Sequence, residues 1–178
     1  MGSGKGILVS NALRAAKKKF PKLKIFVIGP KCDEKENGYF DGVANILKRF
    51  RCENQPDEIV INWVTECFDE YYKFSEQNEQ TLLFLDEGFA VGEACSRQRN
   101  SIIQSKISNF SLADSRGKNF WLASTAPFVK GLGLNLSAST NLVVIGLIRE
   151  NNLGILKQWS RSTLIPGLTI LSQFFIGE

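Results

Sequence analysis

Thr81-Leu82-Leu83-Phe84-Leu85-Asp86-Glu87 is the stretch that decides the architecture of this chain. Its apolar run is unbroken and ends in two adjacent carboxylates. A strand that is apolar at every position has both of its faces buried. That is the signature of a parallel sheet with helices on either side. Leu23–Gly29 (Leu-Lys-Ile-Phe-Val-Ile-Gly) reads as a similar strand upstream, and Asn119–Ser124 and Asn141–Ile148 read as strands downstream. Between them the pattern shifts to a helical period. Ile7 to about Phe20 predicts a helix with Leu8, Ala12, Ala15 and Ala16 on one face, closed by Pro21. Tyr39–Arg51 predicts a second helix, with Phe40, Val43, Ala44, Leu47 and Phe50 inward. Ile59–Phe74 predicts a third, with Trp63, Cys67, Tyr71 and Phe74 toward the core. A polar helix or helix pair is expected over about Ala94–Ala113, and a further helix over Arg149–Ser162, weakened by Gly154. Pro166-Gly167 then turns the chain into a last apolar stretch, Leu168–Ile176. Alternating strands and helices over 178 residues, 43% of them hydrophobic, predict one α/β domain spanning 1–178.

In open parallel sheets ligands bind beyond the carboxyl ends of the strands. Two polar tips fall there, Asp86-Glu87 and Ser124-Thr125. A third feature sits just before the first helix: Gly2-Ser3-Gly4-Lys5-Gly6. Glycines allow the backbone to wrap a phosphate, and N–H groups at a helix start, here near Ile7, point at an anion. Lys5 would place its ammonium between β- and γ-phosphates. The complete phosphate-loop pattern is Gly, four residues, Gly-Lys-Ser/Thr. Here the first glycine would precede Met1 and the Ser/Thr position holds Gly6. A tag-like N-terminus would use the same letters. Asp86 is the candidate for holding Mg²⁺ and Glu87 for polarising an attacking water as general base. Ser124-Thr125 could contact the γ-phosphate or that water, or simply open a turn before Pro127. Arg97, Arg99, Arg116 and Arg149 are candidates for an arginine acting on a neighbouring site, with Arg116 preferred.

The net charge of +4 is unevenly spread. Residues 1–35 carry nine Lys/Arg against two Asp/Glu, residues 36–95 four against thirteen, and residues 96–178 nine against three. The basic thirds could face a polyanion, or could be ordinary solvated faces. Lys17-Lys18-Lys19 reads as a helix C-terminus complementing the helix dipole. Cys32, Cys52, Cys67 and Cys95 have no C-x-x-C spacing and there is no histidine, so the cysteines read as reduced thiols of a cytoplasmic protein. No signal peptide is recognised, and no apolar run approaches the ~20 residues of a membrane span.

With these residues in place the chain resembles the FtsK–HerA superfamily of P-loop ATPases, which includes the DNA-pumping translocases and conjugation coupling proteins. Leu82–Glu87, Ser115-Arg116-Gly117-Lys118-Asn119, Phe120-Trp121-Leu122-Ala123-Ser124-Thr125-Ala126-Pro127 and Asn141–Leu147 follow the family's order: an acidic strand, a Gly/Arg segment, a polar-tipped strand and a further apolar strand. Gly29-Pro30-Lys31-Cys32-Asp33 is similar to the family's Asp-Pro-Lys-Gly-Asp stretch. The resemblance implies a RecA-like fold and ATP with Mg²⁺ as cofactors. It also implies hydrolysis coupled to DNA movement, and a homo-oligomer in the form of a hexameric ring. The sequence departs from the family at Gly6 and at the sensor Gln, which is Ala126 or Thr125 depending on register. The strand and first glycine before the loop are missing, and the expectation is a misassigned start, a truncated fragment or a decayed gene. A non-hydrolysing nucleotide-binding or scaffold protein is the alternative. The loop also resembles that of adenylate kinases, but those have Thr where this chain has Ile7, and no arginine-rich lid accompanies it.

Overall fold

The computed structural model describes residues 4–36, 38–102, 105–106 and 117–125. Within them the elements run α1 (Lys5–Lys19), β1 (Lys24–Gly29), a short 3-10 turn (Glu34–Glu36), β2 (Ile46–Arg49), α2 (Asp57–Glu76), β3 (Thr81–Leu85), α3 (Gly88–Arg97) and β4 (Lys118–Leu122). The four strands form one sheet in the order β2-β1-β3-β4, and every pairing is parallel. Val27 lies opposite Leu47 on one side and Phe84 on the other, and Phe84 lies opposite Trp121.

The apolar runs of β1 and β3 are explained by burial on both faces. Ile25, Val27, Leu82 and Phe84 point to one side, where Leu13 of α1 and Phe40 and Val43 of the β1–β2 connection complete a core. Phe26, Ile28, Leu83 and Leu85 point to the other, against Val60, Val64, Phe68 and Tyr71 of α2 and Val91 and Cys95 of α3. All eight of these strand residues are at most 2% exposed. Helix α2 starts after Pro56 with Asp57 and Glu58 in its first turn, the end where negative charge is favoured. The buried stripe Val60, Ile61, Val64, Cys67, Phe68 and Tyr71 has the 3–4 spacing of one helix face. Tyr71 keeps its hydroxyl satisfied deep in the core through Thr81 Oγ1, 2.9 Å away. Of the aromatic positions expected to face inward, Tyr71 is buried, while Trp63 and Phe74 pack against the core's margin.

Three expectations are corrected. Tyr39–Arg51 is not a helix. Gly38 and Gly42 hold φ of +92° and +68°, left-handed values at which a helix cannot continue. The segment turns through Phe40 and Val43, Asn45 Oδ1 accepts the Ile25 N–H at 2.9 Å, and Ile46–Arg49 pairs with β1 as an outer strand among the described residues. The inward face of α1 is also different: Leu13 and Ser10 are buried with Val9 and Ala16 beside them, whereas Leu8 is 44% exposed. Finally, the helix after the acidic strand begins at once, at Gly88, and runs to Arg97, while Ile102, Ser105 and Lys106 are helical within the expected span. The expected elements at 141–148, 149–162 and 168–176 lie outside the described residues.

The early start of α3 depends on glycine. The Gly88 N–H donates to Ala123 O at 2.8 Å, so helix α3 springs from the β3 tip hard against the end of β4. A Cβ at Gly88 would meet Leu122 Cδ1 at 2.2 Å and Cγ at 3.0 Å. Gly88→Ala is therefore expected to destabilise the fold by about 1–3 kcal/mol, the usual cost of overpacking. Urea unfolding reads this directly, and an unchanged midpoint would show that Leu122 moves aside freely.

Candidate functional site

The carboxyl ends of β1, β3 and β4 are tied together by backbone bonds. Asp86 N–H donates to Ile28 O at 2.9 Å, and Ala123 N–H donates to Leu85 O at 2.9 Å. This edge therefore carries Gly29-Pro30, Asp86-Glu87 and Ala123-Ser124 side by side. The N-terminus of α1 arrives at the same edge. Lys5 Nζ sits 2.8 Å from Glu87 Oε1 and 3.7 Å from Asp86 Oδ1. These partners are separated by most of the described chain, so the fold itself brings the lysine to the carboxylates. The ammonium nitrogen is shielded from solvent, with the Glu87 carboxylate as its nearest ion-pair partner.

Local backbone aims these groups. Gly4 has φ +79°, and its carbonyl accepts the first helical bond, from Leu8 N–H at 3.0 Å. Helix α1 has no acidic residue in its first turn, so no carboxylate of its own offsets the positive end of its dipole. Glu87 also takes a left-handed conformation, φ 44° and ψ 43°, which costs a non-glycine residue about 1–2 kcal/mol. The bond from Glu87 N–H to Asp86 Oδ1, 2.9 Å, and the contact with Lys5 offset that cost. Strain of this kind concentrates where function sets the geometry.

Asp86 is largely buried, and burial pushes its carboxyl above the ordinary value of 3.8. Lys5 pulls it down, the like charge of Glu87 pushes it up, and the Glu87 N–H and Glu36 make smaller contributions of opposite sign. The folded state thus holds this proton more readily than the unfolded chain. Stability from this group is fully present below about pH 3.8 and is lost as pH rises through the folded value. Asp86→Asn removes that loss. In metal-free buffer the melting temperature of the variant minus that of the wild type is expected to grow from acid toward neutral pH. A difference that shrinks with rising pH would contradict this.

The other expected residues divide clearly. Ser124 is half-buried and Thr125 exposed, just beyond β4 at the same edge. Gly6 lies in the first turn of α1, where Ile7 is 55% exposed. Gly2, Ser3, Arg116 and Arg149 lie outside the described residues. Arg97 is engaged within its own chain. Its Nε and Nη2 grip Asp57 Oδ2 and Oδ1 at 2.8 and 2.6 Å, clamping the end of α3 to the start of α2. Arg99, at the turn after α3, has φ 52°. The loop 29–36 supplies charges that the strand pattern alone did not single out: Lys31 bridges Asp33 and Glu36 at 3.5 and 3.1 Å, and Arg49 Nη2 donates to Glu36 O at 2.8 Å.

Sequence reasoning missed Tyr39. Its ring lies against Gly6, and a Cβ there would meet Cε2 at 2.7 Å and Cδ2 at 2.9 Å. The one signal in the sequence was the glycine standing where the phosphate-loop pattern calls for a hydroxyl.

Among the described residues no three carboxylate, cysteine or histidine side chains converge as a self-sufficient metal site. Mg²⁺ needs less from the protein, because one or two carboxylates together with phosphate oxygens and water suffice. Asp86 and Glu87 already share a buried cation, the Lys5 ammonium, and so fit that partial role. No helix among the described residues is long and apolar enough to cross a membrane. No family model, no curated protein and no solved structure matches the chain.

Proposed function

We propose that this chain is a nucleotide-binding α/β domain of the P-loop type that binds ATP and hydrolyses it with Mg²⁺. The observation that carries the reading is the meeting of Lys5, at the start of α1, with Asp86 and Glu87 at the β3 tip. A cation at a helix N-terminus beside paired carboxylates at a strand end is the arrangement that phosphoryl transfer uses. The N–H groups of the first turn and Lys5 would bind the phosphates. Asp86, with Glu87 adjacent, would hold Mg²⁺, which supplies charge neutralisation between phosphate oxygens. Glu87 would take the proton of the attacking water at its carboxylate, and Ser124 or Thr125 would contact the γ-phosphate or orient that water. The resemblance to FtsK–HerA proteins extends this reading to DNA as partner, to a ring of copies, and to Arg116 as the residue completing a neighbour's site.

The basic surface of α1 supports a DNA partner only in part. Arg14 is spent on Tyr39 O and Ser10, and Lys17 on Val43 O at 2.8 Å, which leaves Lys18 and Lys19 exposed. The second reading, nucleotide binding without hydrolysis, is favoured by one observation: Gly6 stands where the phosphate-loop pattern places a Ser or Thr.

Phosphate release from ATP, measured with and without DNA over a salt series, tests the proposal. Expected are Mg²⁺-dependent release and stimulation by DNA that fades steeply as salt rises. ATP binding with no release at any condition would select the second reading, and absence of both would remove the proposal.

A further inference from the structure

We propose that Tyr39 replaces, from another part of the chain, the side chain that position 6 lacks, and places its phenol hydroxyl beside the bound phosphates. This rests on the nucleotide-site reading above. In the phosphate-loop pattern the residue after the lysine is Ser or Thr, whose hydroxyl reaches the Mg²⁺ between the phosphates. Here that residue is Gly6, and the volume a side chain would take is filled. A Cβ at Gly6 would lie 2.7 Å from Tyr39 Cε2, 2.9 Å from Cδ2 and 3.8 Å from Cζ. The hydroxyl is one bond beyond Cζ, at the outer end of the ring edge that faces position 6.

The ring is held there by the fold. Tyr39 O accepts the Ser10 hydroxyl and Arg14 Nη2, the latter at 3.2 Å, and Arg14 Nη1 reaches Ser10 Oγ in turn. Tyr39 N–H donates to Glu36 O at 3.3 Å, and the next residue, Phe40, is buried against Phe84 with ring centroids 5.7 Å apart. Gly38 at φ +92° makes the turn that delivers the segment. Ser10 is itself buried in α1, one helical turn beyond Gly6. Tyrosine at 39 and glycine at 6 are thus a matched pair joining the β1–β2 connection to the first turn of α1. The exchange preserves a hydroxyl at the site while moving its origin.

Two measurements on Tyr39→Phe, Tyr39→Ala, Gly6→Ser and the double variant Gly6→Ser/Tyr39→Ala test this. Ligand-free thermal melting reads the steric match. Gly6→Ser is expected to lower the melting temperature, and Tyr39→Ala to cost less in the Gly6→Ser background than in the wild type. Calorimetric titration of ATP with Mg²⁺ reads the hydroxyl. Tyr39→Phe keeps the ring, is expected to melt as the wild type does, and to bind roughly five- to tenfold more weakly. The double variant, with a hydroxyl restored at position 6, is expected to bind more tightly than Tyr39→Ala. Wild-type affinity in Tyr39→Phe would overturn the hydroxyl's role, and an unchanged melting temperature in Gly6→Ser would overturn the match. A wild type that binds no ATP would instead bring down the nucleotide-site reading and this proposal with it.

Discussion

Lys5→Met is expected to weaken Mg²⁺·ATP binding by roughly 10- to 100-fold, the range set by losing a charge-assisted contact to phosphate. The lysine sits at the start of α1 and against both carboxylates of the β3 tip. Methionine keeps most of its length and apolar stem. The fold has little else to lose: Lys5 lies at the first residue of α1, and its charge serves Glu87 and Asp86. Removing it leaves those two like charges adjacent, so a modest fall in melting temperature should accompany the loss of affinity. Fluorescent-nucleotide titration below the melting transition separates the two effects. Undiminished affinity would show that phosphate binds elsewhere.

Glu87→Gln is expected to slow ATP turnover by roughly 10²- to 10⁴-fold, the usual worth of a positioned general base. Its effect on binding should run the other way. Glu87 Oε1 is 2.8 Å from Lys5 Nζ, so in the free protein the carboxylate would compete with a phosphate for the ammonium. Neutralising it releases Lys5, and ADP, which cannot be hydrolysed to mask the comparison, should bind more tightly than to the wild type. Single-turnover kinetics and ADP titration read the two effects separately. Equal turnover in both proteins would remove Glu87 from the base's role.

The parts of the fold legible in the sequence were those whose burial leaves a one-dimensional trace. β1 and β3 are enclosed on both faces and read as unbroken apolar runs. Helix α2 packs one face and reads as a 3–4 stripe. β2 left no such trace. It is an outer strand of the described sheet, carries Lys48 and Arg49, and has Leu47 38% exposed. Phe40, Val43, Ala44, Leu47 and Phe50 imitate a helical stripe, although Phe40 and Val43 belong to a turn and Leu47 to a strand. Gly42 inside that stretch was the contrary signal, since its left-handed φ ends any helix there. Helix α3 was placed too late because Gly88 and Gly92 lower helix propensity. Both are buried, and Gly88 is required by the close approach of Leu122.

The candidate site was legible to a similar degree. Lys5, Asp86 and Glu87 were identifiable from residue type and from their places at a helix start and a strand end, and the parallel order of the sheet converges them. Tyr39 was not, because its proximity to Gly6 depends on a turn built by two glycines with positive φ. Arg97 looked available to a neighbouring site until the fold paired it with Asp57 across two helices.

The central claim is that the start of α1 and the tip of β3 together form a phosphate site. A crystal structure of the protein with Mg²⁺ and a non-hydrolysable ATP analogue tests it most directly. The account predicts a phosphate oxygen within hydrogen-bond reach of Lys5 Nζ, with the lysine drawn off Glu87 from its 2.8 Å contact. Lys5 still seated on Glu87, with the nucleotide bound elsewhere or not at all, would contradict it.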